Sequence, residues 1–388
     1  MKIPGGARSL LSAAADTDLP FALWRRPDAV HWEALVSCNA LTKRPVFTET
    51  HERPFFAINR VDVEDANLAD AIEGDVRLDK DGIKFWTGAA YGDDPVSDHQ
   101  RRLLELADDR MDVPVQSRAK VDGPLATDRQ TYELLVERCV QQIKAGRMRK
   151  LVTSRVENRA LSPEYDLLDM AERLAAKLPS AFVALVHLPE TGSWLVGTPE
   201  ILLSSTPDGV DTMALAGTQW VGPDPDLRNI GWPDGLIEEQ ALVSNYIRRA
   251  FLEQGIDDFE EVGPRTVSAA NLVHLRTIFR RSADGLDADR LAGLLRSLHP
   301  TSAVCGMPKP PAIEFLKRFE GYDRGYYTGY LGPVDWDGST KLYVNLRTAQ
   351  ILGQEISLYV GGGIVETSNP AREWIETVEK TKTVGSII

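Results

Sequence analysis

Near the C-terminus, Glu373, Glu376 and Lys380 fall at i, i+3 and i+7, so a helix there places two carboxylates and an ammonium on one face. Just before them stand Gly361, Gly362 and Gly363, where a backbone can approach a bound molecule closely and offer amides with no side chain in the way. Taken alone, Glu376 and Lys380 read as an ordinary surface pair worth ~0.3–0.5 kcal/mol. Other chemically capable residues are scattered upstream. Lys150 opens an apolar run and reads either as a solvated edge charge or as a lysine reaching into a site. Glu239 extends the apolar stripe of a helix backwards by one turn; on a buried side it needs a partner, and at a helix start it complements the macrodipole. Glu200 follows Thr198–Pro199 at a strand start, His274 sits inside a strand, and Arg347 lies on the polar side of another.

The elements that must position these residues can be read from pattern. Asn369 as N-cap and Pro370 at the first helical position start the last helix, with Trp374, Ile375 and Val378 turned to the core. A short strand, 358–360, runs into the glycines. Thr127 caps a helix ending near Gly146, with Leu134, Leu135, Val140 and Ile143 as its apolar positions, and KLVTSRV follows as a strand. From 180 the chain reads strand, turn, strand, and GVDTMALAGT adds another. The segment 219–235, rich in Gly, Pro and Asp, reads as a long loop, a lid or an unstructured link. A helix follows with the stripe Leu242, Val243, Tyr246, Ile247, Ala250 and Phe251. NLVHLRTIFR, YYTGYLGPVDW and KLYVNLRTAQI read as strands, the last a single one alternating Tyr343, Asn345 and Arg347 with Leu342, Val344 and Leu346. Consecutive strands with short connections imply an antiparallel sheet.

Composition bounds the function. The chain has 388 residues, 43% apolar and 26% charged, and can bury a substantial core. A net charge of −13 argues against a general nucleic-acid or anionic-membrane surface, so an anionic substrate needs dedicated cationic residues. Cys38, Cys139 and Cys305 lack CxxC spacing, which suggests neither a disulfide framework nor a zinc cluster and fits a reducing cytoplasm. The N-terminal apolar patch is broken by Asp16 and Asp18 and makes no convincing signal peptide; no run approaches the ~18 apolar residues of a membrane span. Walker and GxGxxG motifs are absent, which disfavours nucleotide chemistry.

Order adds what single residues lack. KLVTSR (150–155), GTPEILL (197–203), ALAGT (214–218), EEQALV (238–243), VHL (273–275), HPTSAVCGMP (299–308), LYVNLRTA (342–349), GGGIV (361–365) and EWIETVEK (373–380) stand in register from Lys150 to Lys382. In this the chain resembles the chorismate-utilising enzymes, the family of isochorismate, salicylate, anthranilate and aminodeoxychorismate synthases. The resemblance implies an α+β fold of two large, mainly antiparallel sheets packed face to face with helices outside. Residues 1–125 carry no chemical signature and read as a structural portion, a boundary-like stretch precedes Thr127, and 126–388 reads as the chorismate-binding catalytic region of one continuous unit.

The resemblance also implies roles. Glu239 and Glu376 would be direct Mg2+ ligands and Glu373 would hold a metal-bound water, the ion gripping the C1 carboxylate of chorismate. Arg347 and Lys380 would hold the enolpyruvyl carboxylate, Arg347 bidentately. Thr218 and the amides of Gly361, Gly362 and Gly363 would complete the cradle, with His274 beside the ring. Lysine at 150, where ammonia-using relatives carry glutamine, and alanine at 216, where aminodeoxychorismate synthases carry a nucleophilic lysine, both point to water as nucleophile. Lys150 would then take a proton from water attacking C2, and Glu200 would protonate the hydroxyl leaving C4.

The expectation is an isochorismate synthase, an isomerase that feeds menaquinone synthesis, with no obligatory glutaminase partner. Salicylate synthase, an ammonia-using synthase and a non-catalytic chorismate-binding relative are the alternatives. Gly235 and Leu236 depart from the family's usual lysine and acid before the metal glutamate, which removes one cation and one second acid from the site.

Overall fold

The computed structural model describes residues 2–388 apart from 111–112, 120, 221–225 and 270–271. Two sheets dominate it. The larger has eleven strands, running from the short Gly306–Met307 edge through Lys150–Ala160, Glu355–Ile364, Thr348–Leu352, Gly192–Thr198 and Phe182–Leu188. Five N-terminal strands between Phe21 and Gly92 complete it. The second has nine strands: Glu260–Ala269, Leu272–Ser282, Gly209–Trp220, Ile201–Thr206, Thr340–Val344 and Tyr330–Val334, then three from the first 73 residues. Every pairing between named strands is antiparallel. The N-terminal strands therefore extend both sheets.

Large apolar side chains hold the two inner faces together. Trp24, Phe56, Phe182, Trp194, Trp336, Tyr343 and Tyr359 share one buried cluster drawn from both sheets. Phe182 of one sheet stacks on Tyr343 of the other with centroids 4.0 Å apart and planes within 8°, an arrangement worth about 0.5–1.5 kcal/mol beyond the area it buries. Helices cover the outer faces. Gly5–Asp16, Asp98–Asp108 and Leu167–Lys177 pack on the larger sheet, while Asp234–Glu253 and Ala288–Leu298 pack on the smaller. This is the α+β arrangement of facing sheets that the sequence implies. No helix among the described residues is long and apolar enough to cross a membrane.

Several local readings change. The run 340–352 is two strands, Thr340–Val344 in one sheet and Thr348–Leu352 in the other, and Asn345–Arg347 carries the chain across with Arg347 at φ +49°. Pro199–Glu200 makes a second crossing, from Gly192–Thr198 to Ile201–Thr206. The glycines are not beyond a short strand but inside a long one, Glu355–Ile364. Strand Glu260–Ala269 was not foreseen; its Gly263–Pro264 sits at a register shift on the sheet edge, where a missing donor is tolerated.

The helix expected after Thr127 spans Arg129–Lys144 and is capped by Asp128, whose side chain accepts from the Thr131 amide; Thr127 instead bonds its backbone to Val156. Leu134 and Ile375, read as core positions, are 47% and 57% exposed. Of the expected loop, Gln219 and Trp220 belong to a strand and Asp234 and Gly235 to a helix, while 221–225 lie outside the described residues.

Candidate active site

A cleft of about 370 Å³ opens where the two chain crossings part the sheets, and it is lined by all twelve residues singled out from the sequence. Lys150 is no edge charge. Its strand is bracketed by Gly306–Met307 on one side and Glu355–Ile364 on the other, its side chain is 3% exposed, and its ammonium meets Glu239 Oε1 at 2.5 Å.

Glu239 arrives on helix Asp234–Glu253, and the next residue sets that helix in place. The Gln240 side chain accepts from the Ala216 amide at 3.0 Å and donates to Ala214 O at 3.2 Å and Thr277 Oγ1 at 3.0 Å. Ala216 is free to donate because strand Ile201–Thr206 pairs with this strand only from Gly209 to Asp211; just beyond, the strand bulges between Ala216 and Thr218, with Gly217 at φ +63°. The same bulge carries Thr218 toward His274, whose Nδ1 lies 3.2 Å from Thr218 Oγ1. Gln240 is a positioning residue that the sequence reading missed; an amide beside a buried carboxylate on a helix was its only signal.

Helix Pro370–Gly385 brings the acidic face. Asn369 caps it through the Arg372 amide at 3.1 Å, and Arg155, 1% exposed, pins it to strand Lys150–Ala160. The Arg155 guanidinium donates from Nε to Thr377 Oγ1 at 2.7 Å and lies 4.3 Å from the Trp374 ring centroid. Lys380 pairs with Glu376 Oε1 at 2.6 Å and donates to Gly361 O at 2.9 Å.

The glycines matter for space. A Cβ at 363 would stand 3.0 Å from Lys150 Cε and 3.3 Å from Glu239 Oε1; one at 362 would stand 3.5 Å from Glu373 Oε2 and 3.7 Å from Glu376 Oε1. Gly361, Gly362 and Gly363 pair with Ser154, Thr153 and Val152 on one edge. Their other edge carries no paired strand among the described residues, because the register with Thr348–Leu352 ends at Tyr359.

The two crossings deliver Glu200 and Arg347 side by side: the Val344 amide donates to Glu200 O and the Gly197 amide to Arg347 O, each at 3.0 Å. Arg347 Nη1 donates to Thr383 Oγ1 at 3.0 Å. Tyr327 and Tyr359 also line the cleft, stacked with centroids 5.2 Å apart, and were not read from the sequence.

Burial sets the protonation states. It pushes the Glu200 carboxyl up to about 8 against the pull of Lys150, so this acid keeps its proton at neutral pH. Burial, with help from Glu376 and Glu239, pushes Glu373 up to about 7. Burial opposes the charge on Glu239 too, but the Lys150 ammonium outweighs it and holds this carboxyl below its ordinary range. His274 is driven down to about 3 by burial and by Arg347 and Lys380, so its ring is neutral; its Nε2 has no hydrogen-bond partner among the described residues.

A hard divalent cation fits the donor set. Glu239, Glu373 and Glu376 all approach the Gly362–Gly363 backbone, and their crowding is what raises Glu373 beyond the effect of burial. As the side chains stand, no three His, Cys, Asp or Glu groups among the described residues form a metal-binding cluster, and Glu239 and Glu376 each give an oxygen to a lysine. Magnesium commonly takes only one or two carboxylates and completes its shell with water and substrate oxygens, so the set is sufficient. Gly235 and Leu236 line the same cleft and add no charge to it.

Known proteins share this architecture. A family model described as chorismate binding enzyme matches residues 93–388. Isochorismate synthase EntC of Escherichia coli K12 is 28% identical over 278 residues, covering 70% of each chain. The salicylate biosynthesis isochorismate synthase of Pseudomonas aeruginosa is 31% identical over 295 residues, 73% of this chain and 60% of that protein. The solved structure of MenF, the menaquinone-specific isochorismate synthase of Escherichia coli, superposes with a TM-score of 0.74 at 20% identity, covering 97% of this chain and 90% of that one. With the family model spanning the whole of the cleft, this chain belongs to the chorismate-binding enzyme family.

Proposed function

We propose that the chain is an isochorismate synthase, which adds water at C2 of chorismate and expels the hydroxyl at C4. The observation that carries this reading is the pairing, in one cleft, of a lysine and a carboxyl that stays protonated at neutral pH, Lys150 and Glu200. Lys150 first releases to solvent the proton it holds against Glu239 and then, as a neutral amine, accepts one from water as the water oxygen bonds to C2. The ring double bonds shift, the C4–O bond breaks, and Glu200 gives its proton to the departing hydroxyl, which leaves as water. One C–O bond replaces another, so no oxidant, reductant or ATP is consumed. Afterwards Lys150 carries a proton too many and Glu200 one too few, and proton exchange resets them.

Arg347 and Lys380 supply positive charge for the enolpyruvyl carboxylate, which is how a chain of net charge −13 takes a dianion. Thr218, His274 and the open edge of Gly361–Gly363 line the rest of the pocket. Mg2+ held by Glu239 and Glu376, with Glu373 on a coordinated water, would neutralise the C1 carboxylate. Ala216 in the cleft offers no nucleophile to compete with water. The reaction needs no ammonia and hence no glutaminase.

A role in menaquinone supply has the fold likeness to the menaquinone-specific enzyme as its support; the salicylate-biosynthesis relative stands equally beside it. The reaction, more than the pathway, is the reading proposed. Incubation with chorismate and Mg2+ followed by chromatography tests it: isochorismate is the expected product. Salicylate with pyruvate, an aminated product given ammonium, or tight binding without turnover would each overturn it.

A further inference from the structure

The strand that begins at Lys150 is supported unequally. On one side it pairs with Glu355–Ile364 from Leu151 to Ala160. On the other, among the described residues, strand pairing covers only Lys150 and Leu151, opposite Met307 and Gly306; one further bond runs from the Val152 amide to Cys305 O, and backbone support returns at Val156, whose O accepts from the Thr127 amide. Between these points two side chains take over. Arg324 Nη2 donates to Val152 O at 2.7 Å, and Glu320 Oε1 accepts from the Ser154 amide at 2.7 Å and from Ser154 Oγ at 2.7 Å. One donor and one acceptor at alternate positions reproduce what a neighbouring strand would offer.

The two side chains are locked to each other. Arg324 reaches Glu320 from Nε at 2.7 Å and from Nη2 at 2.5 Å, and the two are 6% and 2% exposed. Arg324 Nη1 also donates to Val304 O at 2.8 Å and Thr328 Oγ1 at 3.1 Å. Val152, Val304 and Thr328 all line the cleft with Lys150. A buried ion pair is seldom the most stabilising filling for such a space, which directs attention to what it holds in place.

We propose that Glu320 and Arg324 are the positioning pair for Lys150: they substitute for a strand at the open edge and fix the lysine against Glu239 and the substrate. They touch no substrate themselves, and the inference rests on Lys150 acting as the base. The groups assigned to the substrate carboxylates come from other elements, Arg347 from a crossing and Lys380 from helix Pro370–Gly385. Loosening the clamp therefore acts on turnover and spares binding. A displacement of about 1 Å at a reacting group costs on the order of a hundredfold in rate.

The test uses the full-length protein with R324K, which keeps the charge but loses the fork, and E320Q, which keeps the shape and weakens the pair. The expected result is a kcat lower by about tenfold or more, up to roughly a hundredfold for R324K, with KM for chorismate within about threefold. In parallel, labelling by trinitrobenzenesulfonate is followed by peptide mass spectrometry at Lys150 and at Lys380. Labelling of Lys150 is expected to rise in the variants while that of Lys380 stays at the wild-type rate. Should R324K not fold, E320Q gives both readings alone. Equal acceleration at both lysines, a matched fall in kcat and rise in KM, or unchanged kcat and labelling would each overturn the assignment. If the wild-type chain makes no isochorismate, the base role of Lys150 falls, and the labelling contrast still reports whether the pair holds the lysine.

Discussion

Lys150 and Glu239, 89 positions apart in sequence, form an ion pair of 2.5 Å inside the cleft. The pair joins the first residue of strand Lys150–Ala160, second from one edge of the larger sheet, to the first turns of a helix on the other sheet, so it reports whether the two halves of the site are in register. Gly363 lies directly beneath it, and that contact gives the first expectation.

Gly363→Ala puts a methyl 3.0 Å from Lys150 Cε and 3.3 Å from Glu239 Oε1. Both are far ends of flexible side chains, so the fold tolerates the change and the site does not. Turnover is expected to fall roughly a hundredfold, with the thermal midpoint near that of the wild type. Steady-state kinetics and a melting curve on one sample check both halves.

Lys150→Ala and Glu200→Gln remove the proposed base and acid. Each is expected to lower kcat by about 10²–10⁴ with far less effect on chorismate binding, measured by calorimetry. Turnover near the wild-type value in either variant would refute the role given to that residue.

Glu200 also fixes a pH dependence. Its carboxyl sits at about 8 in the folded chain against an ordinary 4.5, raised by burial, and the reaction uses its protonated form. The rate is expected to fall as pH rises through about 8. The stability effect has the same sign. The folded state holds this proton between about 4.5 and 8 while the unfolded state has lost it, so stability drops across that window and levels off above it. Glu200→Gln is therefore expected to melt higher than the wild type at pH values above that window. A variant that melts lower there would contradict the burial argument.

Gln240→Leu keeps the volume near Glu239 but leaves the Ala216 amide without its acceptor. A buried, unsatisfied donor costs about 1–3 kcal/mol, and a loss of that size is expected in urea unfolding. The affinity for Mg2+ should fall with it, because the helix that carries Glu239 loses its tie to the sheet.

The parts of this architecture that are local in sequence were legible there. Asn369 and Pro370 announce the last helix because capping is a matter of adjacent residues, and the Glu373, Glu376 and Lys380 face follows from helical spacing. What depends on the other sheet was not. Leu342, Val344 and Leu346 alternate through the point where the chain changes sheets, with no glycine or proline to mark it, so the run looked like one strand; the positive φ of Arg347 exists only because of that crossing. Leu134 and Ile375 are apolar and periodic yet face outward, since periodicity does not say which side a neighbour occupies. Glu320 and Arg324, at i and i+4, have the spacing of a common surface pair, and only the bare strand edge beside them gives them a task. The chemically capable residues were found by their order along the chain, and the cleft that gathers them was visible only in three dimensions.

The central claim is that water, activated at Lys150, supplies the new oxygen at C2. The most direct measurement is turnover of chorismate in H2 18O with the product analysed by mass spectrometry. One 18O atom in the C2 hydroxyl of isochorismate is the expected result, and isochorismate formed without solvent label would contradict the account.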